Sequence, residues 1–130
     1  MKDGAVSIAG KLNNHIAGVA VQTTASSNSR GLQRVSDVPV YAADAVVRRA
    51  ASLQLTRDAA TPCAVMHSSE LLKLGVQSGD TVKVNQGNAS ARLTVRADDS
   101  MPVATARVAA GHPVTAGLGA MFGAITVERA

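Results

Sequence analysis

The chain has 130 residues, of which 46% are hydrophobic and only 2% aromatic, and its formal net charge is +4. This length allows one domain with a core of its own, built from aliphatic side chains because Tyr41 and Phe122 are the only Tyr or Phe and Trp is absent. The shortage of aromatic rings argues against single-stranded nucleic-acid binding, and the basic residues are too scattered for the stripe typical of DNA-binding proteins.

A single cysteine, Cys63, excludes an internal disulfide and an all-cysteine metal or iron–sulfur site. No apolar run approaches the roughly 20 residues that span a bilayer. The N-terminus, Met1-Lys2-Asp3-Gly4, lacks the long apolar core of a signal peptide. We therefore expect a protein of a reducing, cytoplasmic compartment with no membrane insertion.

Residues 1–37 are predicted to be a partly disordered leading segment and linker. They contain two short apolar runs without a clear period, followed by a stretch of small polar residues from Gln22 to Gly31. Such a stretch offers no apolar surface to bury, so it does not favour a packed structure. The folded domain is predicted to cover residues 38–130.

The domain is predicted to begin with an N-terminal helical segment. Val38 to Tyr41 is predicted to be extended, since Pro39 suits a sheet edge. Asp44 is a typical N-cap for a helix over residues 45–53. One side of that helix carries the apolar residues Val46, Val47, Ala50 and Leu53, which we expect to face the core, with Arg48 and Arg49 towards the other side.

The remaining residues predict several short strands separated by turns. A strand at 64–67 precedes a short helix that Ser68 caps and Gly75 ends. The following strands are predicted at 81–84, 90–97, 103–109 and 124–127, with a hairpin turn at 85–88 and a small-residue helix at 115–121. Many short strands with regular turns indicate a mainly β fold with short helices that closes into a barrel. The helix end, turn and strand from Leu74 to Val84 are typical of a double-psi β-barrel.

The sequence contains no convincing catalytic constellation. His15, His67 and His112 lack metal-ligand spacing, and capping explains Ser68 and Ser69 better than nucleophilic catalysis does. Two small groups remain as candidate binding sites. Gly111, His112 and Pro113 form a rigid corner whose ring either contacts a ligand or satisfies the backbone of that corner. Arg48 and Arg49 either bind carboxylates of a partner, face solvent, or hold their helix against the barrel.

Two groups of motifs resemble known families. The run from Leu74 to Val84, the hairpin at Gly87 and the strand that ends in Ala109-Ala110-Gly111-His112-Pro113 resemble the carboxy-terminal, dinucleotide-binding barrel of the molybdopterin oxidoreductase family. Residues 38–54 and 112–129 more narrowly resemble the end of the large iron–sulfur subunit of bacterial NADH:quinone oxidoreductase (complex I). Together the resemblance covers about residues 35–130.

The narrower resemblance implies a non-catalytic structural or assembly domain without a cofactor of its own. The iron–sulfur clusters of the subunit would lie in an N-terminal part that this chain lacks, in agreement with the single cysteine. The implied partners are other domains of the same subunit and neighbouring complex I subunits, on the cytoplasmic side of the inner membrane, without nucleic acid. The broader resemblance implies the alternative, a domain of a molybdenum oxidoreductase that binds molybdopterin guanine dinucleotide near Gly111, His112 and Pro113.

Two further uses of this barrel are disfavoured by the sequence. Aspartate decarboxylases of this fold cleave their own Gly-Ser bond, and none of the 11 glycines here is followed by serine. A DNA-binding dimer of swapped hairpins would need a denser basic surface than these scattered residues provide.

Overall fold

The computed structural model describes residues 31–59 and 61–130; the predictions for residues 1–30 lie outside the described residues. The strands are β1 (Leu32–Val35), β2 (Cys63–Met66), β3 (Thr81–Gln86), β4 (Ala89–Ala97), β5 (Thr105–Val108) and β6 (Gly123–Arg129). The helices are α1 (Ala45–Arg49), α2 (Ala51–Gln54) and α3 (Ser68–Leu74), with 3₁₀ turns at Val40–Ala42 and Arg57–Ala59.

The six strands form one closed barrel in the order β1-β5-β2-β4-β3-β6. The pairs β1–β5 and β2–β4 are parallel, and the other neighbours, including β6 with β1, are antiparallel. The prediction of a mainly β, double-psi barrel-like fold with few short helices is confirmed. Each described strand therefore has a hydrogen-bonded neighbour on both sides over at least part of its length.

The barrel begins earlier than the predicted domain boundary at residue 38. Strand β1 lies within the segment assigned to the leading linker, and it pairs with both β5 and β6. Its four residues lack the usual alternation of apolar and polar side chains. Leu32 packs against the core, but the next inward-facing position is occupied by Arg34. A charge at an inward position breaks the apolar alternation by which strands are recognised.

Aliphatic side chains fill the barrel, as the composition predicts. Strand β4 shows the alternation most clearly, since Ala91, Leu93 and Val95 are buried while Arg92 and Thr94 are exposed. Gly75 ends α3 in the left-handed conformation with a φ of 65°, which glycine adopts at little cost. The core cluster also contains Ala64, Met66, Leu71, Val76, Val82, Val84, Ala106, Val108, Leu118, Ile125 and Val127.

Three predicted local elements differ from the structure. Residues 40–42 form a 3₁₀ turn where an extended piece is predicted, and the helix over 45–53 is interrupted at Ala50. At the interruption, the carbonyl oxygen of Val47 accepts from the Ala50 N–H (3.2 Å) and from Nε2 of Gln54 (3.0 Å), whereas a continuous helix would pair it with the Ala51 N–H. Residues 115–121 form turns and no helix, since Gly117 and Gly119 weaken a helix by about 1 kcal/mol each.

One end of the barrel is held by the buried side chain of Arg34, which is 1% exposed. Its Nε donates to the carbonyl oxygen of Val108 (3.3 Å), and its Nη2 donates to that of Ala109 (3.2 Å). Its Nη1 donates to Oε1 of Gln86 (2.7 Å) and to the carbonyl oxygen of Ala120 (3.2 Å). One guanidinium therefore connects β1 to β3, to the end of β5 and to the segment before β6.

No carboxylate among the described residues pairs with this buried cation. Burial lowers the pKa of Arg34, because desolvation disfavours the charged form. Four hydrogen bonds to neutral oxygen atoms offset that cost, and hydrogen bonds to a charged donor are stronger than those between neutral groups. The planar fork of arginine, with its five donors, is what allows one side chain to reach four acceptors.

A second fixed point is the turn before β5, where Ala104 has a φ of 58°. This left-handed conformation costs a residue with a Cβ roughly 1 kcal/mol. Oε1 of the buried Glu70 accepts from the Ala104 N–H (3.2 Å) and from Nζ of Lys73 (2.7 Å). The hydrogen bond from Lys73 lowers the pKa of Glu70 in spite of the opposing effect of burial, and the bond from Ala104 lowers it further.

We predict that Arg34→Lys lowers the free energy of unfolding by about 1–3 kcal/mol, because an ammonium group cannot satisfy four acceptors in the geometry of a guanidinium. Urea unfolding followed by circular dichroism measures the change. Arg92→Lys is the matched control, since Arg92 is exposed on β4 and its replacement is expected to change stability by less than about 0.5 kcal/mol. Equal stabilities of the two variants would contradict a structural role for Arg34.

We also predict that Glu70 makes the domain sensitive to acid. A carboxyl with a lowered pKa in the folded state stabilises the fold above its ordinary pKa, and this contribution is lost as the pH falls through the lowered value. Glu70→Gln should therefore lower the free energy of unfolding near pH 7, and the difference from the original protein should shrink as the pH falls below the ordinary pKa of a glutamate. Unfolding in urea at several pH values provides the measurement.

The control for this prediction is Glu128→Gln, which replaces an exposed carboxylate on β6. Its stability difference from the original protein should stay small at each pH. A Glu70→Gln difference that does not change with pH would show that the carboxylate charge contributes nothing to the turn at Ala104.

Candidate functional site

The His112 corner lies in the segment between β5 and β6. Gly111 has a φ of 74°, and a Cβ there would lie 3.4 Å from Cγ1 of Val38, so glycine relieves backbone strain at this position. Nδ1 of His112 accepts from the N–H of Val114 (3.2 Å), and the carbonyl oxygen of His112 accepts from the N–H of the buried Thr115 (2.9 Å). The ring therefore satisfies the backbone of its own corner through Nδ1, one of the two interpretations that the sequence leaves open.

The second imidazole nitrogen of His112 makes no hydrogen bond within residues 31–59 and 61–130. The ring is half-buried, so Nε2 retains the capacity to contact a ligand at the barrel end. The structure thus places the three predicted residues Gly111, His112 and Pro113 at one turn, with one ring nitrogen structurally occupied and the other available.

The two adjacent arginines of α1 have different surroundings. Nη1 of Arg48 donates to the carbonyl oxygen of Ala42 (2.8 Å), so this side chain fixes α1 against the preceding 3₁₀ turn and not against the barrel. Arg49 is exposed and makes no hydrogen bond or ion pair with another described residue. Arg49 is consequently the member of the pair whose guanidinium is free for a partner.

The start of α3 brings together residues that the sequence does not connect. His67, and not the predicted Ser68, is the N-cap, because its Nδ1 accepts from the N–H of Ser69 (3.1 Å). The Ser69 hydroxyl lies 2.9 Å from the same Nδ1, and Nε2 of His67 lies 3.9 Å from Oδ1 of Asp99. Oδ1 of Asp99 also accepts from the N–H of Ser68 (3.2 Å).

This grouping of serine, histidine and aspartate has the composition of a nucleophilic triad but the geometry of a helix cap. Both the amide and the hydroxyl of Ser69 face Nδ1 of His67, so the histidine satisfies a free N–H of the first helical turn. Asp99 satisfies the N–H of Ser68 in the same way. The sequence does not predict that Asp99 lies near His67 and Ser68, because this contact depends on the parallel pairing of β2 with β4.

Within the described ranges, no group of three or more histidine, cysteine or acidic side chains could hold a metal ion. Those ranges also contain no helix with the length and hydropathy that a membrane span requires. Cys63 is a half-buried free thiol at the start of β2.

No protein-family model matches the chain, and no curated protein matches it. Among solved structures, acetylene hydratase from Pelobacter acetylenicus is similar to it, with a TM-score of 0.43 and 22% sequence identity over 69% of this chain. The similar region is 13% of that enzyme, so this chain spans only a small part of its length. A similarity at this level supports no conclusion about activity.

Proposed function

We propose that this chain is a non-catalytic structural or assembly domain of the large iron–sulfur subunit of NADH:quinone oxidoreductase, which supports NADH-to-quinone electron transfer by the whole complex. It would pack against other domains of its own subunit and against neighbouring subunits. The observation that carries the proposal is the exposed apolar surface of the helical flank, by which we mean residues 40–59. The motif at residues 38–54, which resembles the end of that large subunit, overlaps this flank.

The helical flank contributes little to the core of its own domain. Neither α1 nor α2 contains a buried residue, and Ala42 is the core residue that the flank provides. Val47, Ala50 and Leu53 are only half-buried, whereas Val46, which the pattern assigns to the same inward side, is 80% exposed. Amphipathic helices normally bury their apolar side, so these helices are incompletely covered.

Three large apolar side chains of the flank extend into solvent. Val40 is 73% exposed, Val46 80% and Leu55 88%. Burial of an aliphatic side chain against a partner stabilises a complex by about 1.5–3 kcal/mol. Arg49 on the same flank adds a guanidinium that can form paired hydrogen bonds with a carboxylate of a partner.

The closed barrel supports docking through side chains. Because each described strand already has a hydrogen-bonded neighbour on both sides over part of its length, a partner would mainly contact helices, loops and outward-facing side chains. The helical flank offers three such aliphatic side chains, Val40, Val46 and Leu55.

We predict that Val46→Glu combined with Leu55→Glu, introduced into the full-length polypeptide that carries this domain, reduces the amount of assembled complex in membranes several-fold. A carboxylate in an apolar interface is costly to desolvate, so the partner should be lost. Native gels quantify the assembled complex, and NADH:quinone reductase assays of the same membranes measure its activity. Because both residues are exposed, the stability of the isolated domain should change by less than about 1 kcal/mol.

The matched control is Leu72→Glu, which introduces the same charge at a leucine of α3 that is 80% exposed but lies outside the helical flank. This variant should assemble normally. Normal assembly of the double variant would contradict the proposal.

One observation favours the alternative function, binding of molybdopterin guanine dinucleotide, namely the available Nε2 of His112 at the corner formed with Gly111 and Pro113. Under our proposal, a guanine nucleotide at millimolar concentration should cause no amide chemical-shift changes at residues 109–119. Saturable shifts confined to that segment, and absent from His112→Ala, would instead support the nucleotide site.

A further inference from the structure

A cleft lies on the outer face of β2, on the side of the sheet opposite the core. Its volume is about 240 Å³, and we call it the β2 cleft. Its floor is apolar, with Val65 2% exposed and Pro62 also buried. Four charged side chains and the Cys63 thiol surround this floor; the charged residues are Asp37, Asp58, Arg96 and Arg107.

Arg96 and Arg107 occupy equivalent register positions on the two strands that flank β2. Val65 is in register with Arg96 of β4 on one side and with Arg107 of β5 on the other. Because neighbouring strands lie about 4.8 Å apart, the two arginine Cα atoms are roughly 10 Å from each other. Two arginine side chains can therefore converge over Val65 on one small oxyanion.

Neither arginine is neutralised by a direct contact. Within the described residues, Arg96 and Arg107 make no hydrogen bond or ion pair through their side chains. Hydrogen bonds from the hydroxyl and the N–H of Ser100 lower the pKa of Asp98, and the positive charges of Arg107 and Arg96 lower it further. The positive charges of the two arginines therefore act on Asp98, just after β4. The N–H groups of both guanidinium groups remain available to bind a ligand.

The two acidic residues enter the cleft from different elements. Asp37 follows β1, and Asp58 belongs to the 3₁₀ turn at Arg57–Ala59, so both come from segments that cross the face of the sheet. Neither carboxylate lies within ion-pair distance of Arg96 or Arg107 in the described structure. The cleft is therefore lined by two positive and two negative side chains that do not form ion pairs with each other.

We propose that the β2 cleft binds a small zwitterion, an amino acid or a related amino carboxylate. The ligand carboxylate would lie between Arg96 and Arg107, which offer paired donors, and its ammonium group would face Asp37 and Asp58. The apolar floor at Val65 would contact the carbon chain that joins the two ends. This inference is independent of the proposed role in complex I.

Charge and size both favour this class over a larger anion. The formal charges of the four lining residues sum to zero, so a polyanion such as a dinucleotide would be attracted by the arginines and repelled by the aspartates. The volume is below the roughly 300–1,000 Å³ of clefts that hold drug-sized ligands. A ligand with one charge of each sign matches both properties.

The test is an amide chemical-shift titration of the whole chain with glycine, β-alanine, 4-aminobutanoate and 5-aminopentanoate. Acetate, methylammonium and inorganic phosphate serve as probes that carry only one sign of charge. We expect at least one amino carboxylate to shift the amides of Cys63, Val65 and Ala109 saturably, with a Kd at least tenfold lower than that of any single-sign probe. The same ligand should slow the reaction of Cys63 with a disulfide reagent, because that thiol lines the cleft.

The variants Arg96→Gln and Arg107→Gln should each weaken binding of that ligand at least tenfold. Arg92→Gln is the matched control, since Arg92 is exposed on β4 but does not line the cleft, and it should bind as the original protein does. Tighter binding of phosphate than of every amino carboxylate would overturn the proposal in favour of a simple anion site. Absence of saturable shifts up to about 10 mM, or binding that survives both arginine substitutions, would overturn it as well.

Discussion

The buried guanidinium of Arg34 is the constraint on which the architecture of this barrel depends. A cation so deeply buried requires acceptors on every side, and here they are carbonyl oxygens at the end of β5 and in the segment before β6, together with Gln86. Nε2 of Gln86 donates to the same carbonyl oxygen of Ala120 (2.8 Å), so the network is closed. The chain between β5 and β6 must follow a path that presents these carbonyls, and the His112 corner takes its position from that path.

The elements predicted from the sequence are those whose signals are local. The end of α3 at Gly75, the hairpin between β3 and β4 and the alternation along β4 depend on neighbouring residues, and the structure contains all three. Strand β1 was not predicted, because its inward position carries Arg34, which becomes favourable only when distant carbonyls surround it. The hydrogen bond from the Gln54 side chain to the Val47 carbonyl oxygen was likewise not predicted, because it forms only once the helix has folded.

For the candidate sites too, features that depend on neighbouring residues were predicted, whereas contacts between distant residues were not. The capping role of Asp44 follows from adjacent residues and is found in the structure, and the bond from the Val114 N–H to Nδ1 of His112 also joins residues close in the chain. By contrast, the hydrogen bond from Arg48 to the carbonyl oxygen of Ala42 and the approach of Asp99 to His67 depend on the folded structure. The β2 cleft is the strongest example: Arg96 and Arg107 belong to separate strands, and only the position of β2 between β4 and β5 brings them to one site.

The docking surface and the cleft share one residue, which gives the two proposed interactions a route by which they could affect each other. Asp58 belongs to the helical flank, yet it also lines the β2 cleft. A partner that packs against Val46 and Leu55 and shifts this segment would move one carboxylate relative to the arginines of the sheet, which the barrel holds in place. Any resulting change in ligand affinity must be matched by an equal change in partner affinity, because coupling between two binding sites is reciprocal. The helical flank, weakly attached to the core, is therefore the element through which binding of a small zwitterion and assembly with a larger partner would affect each other.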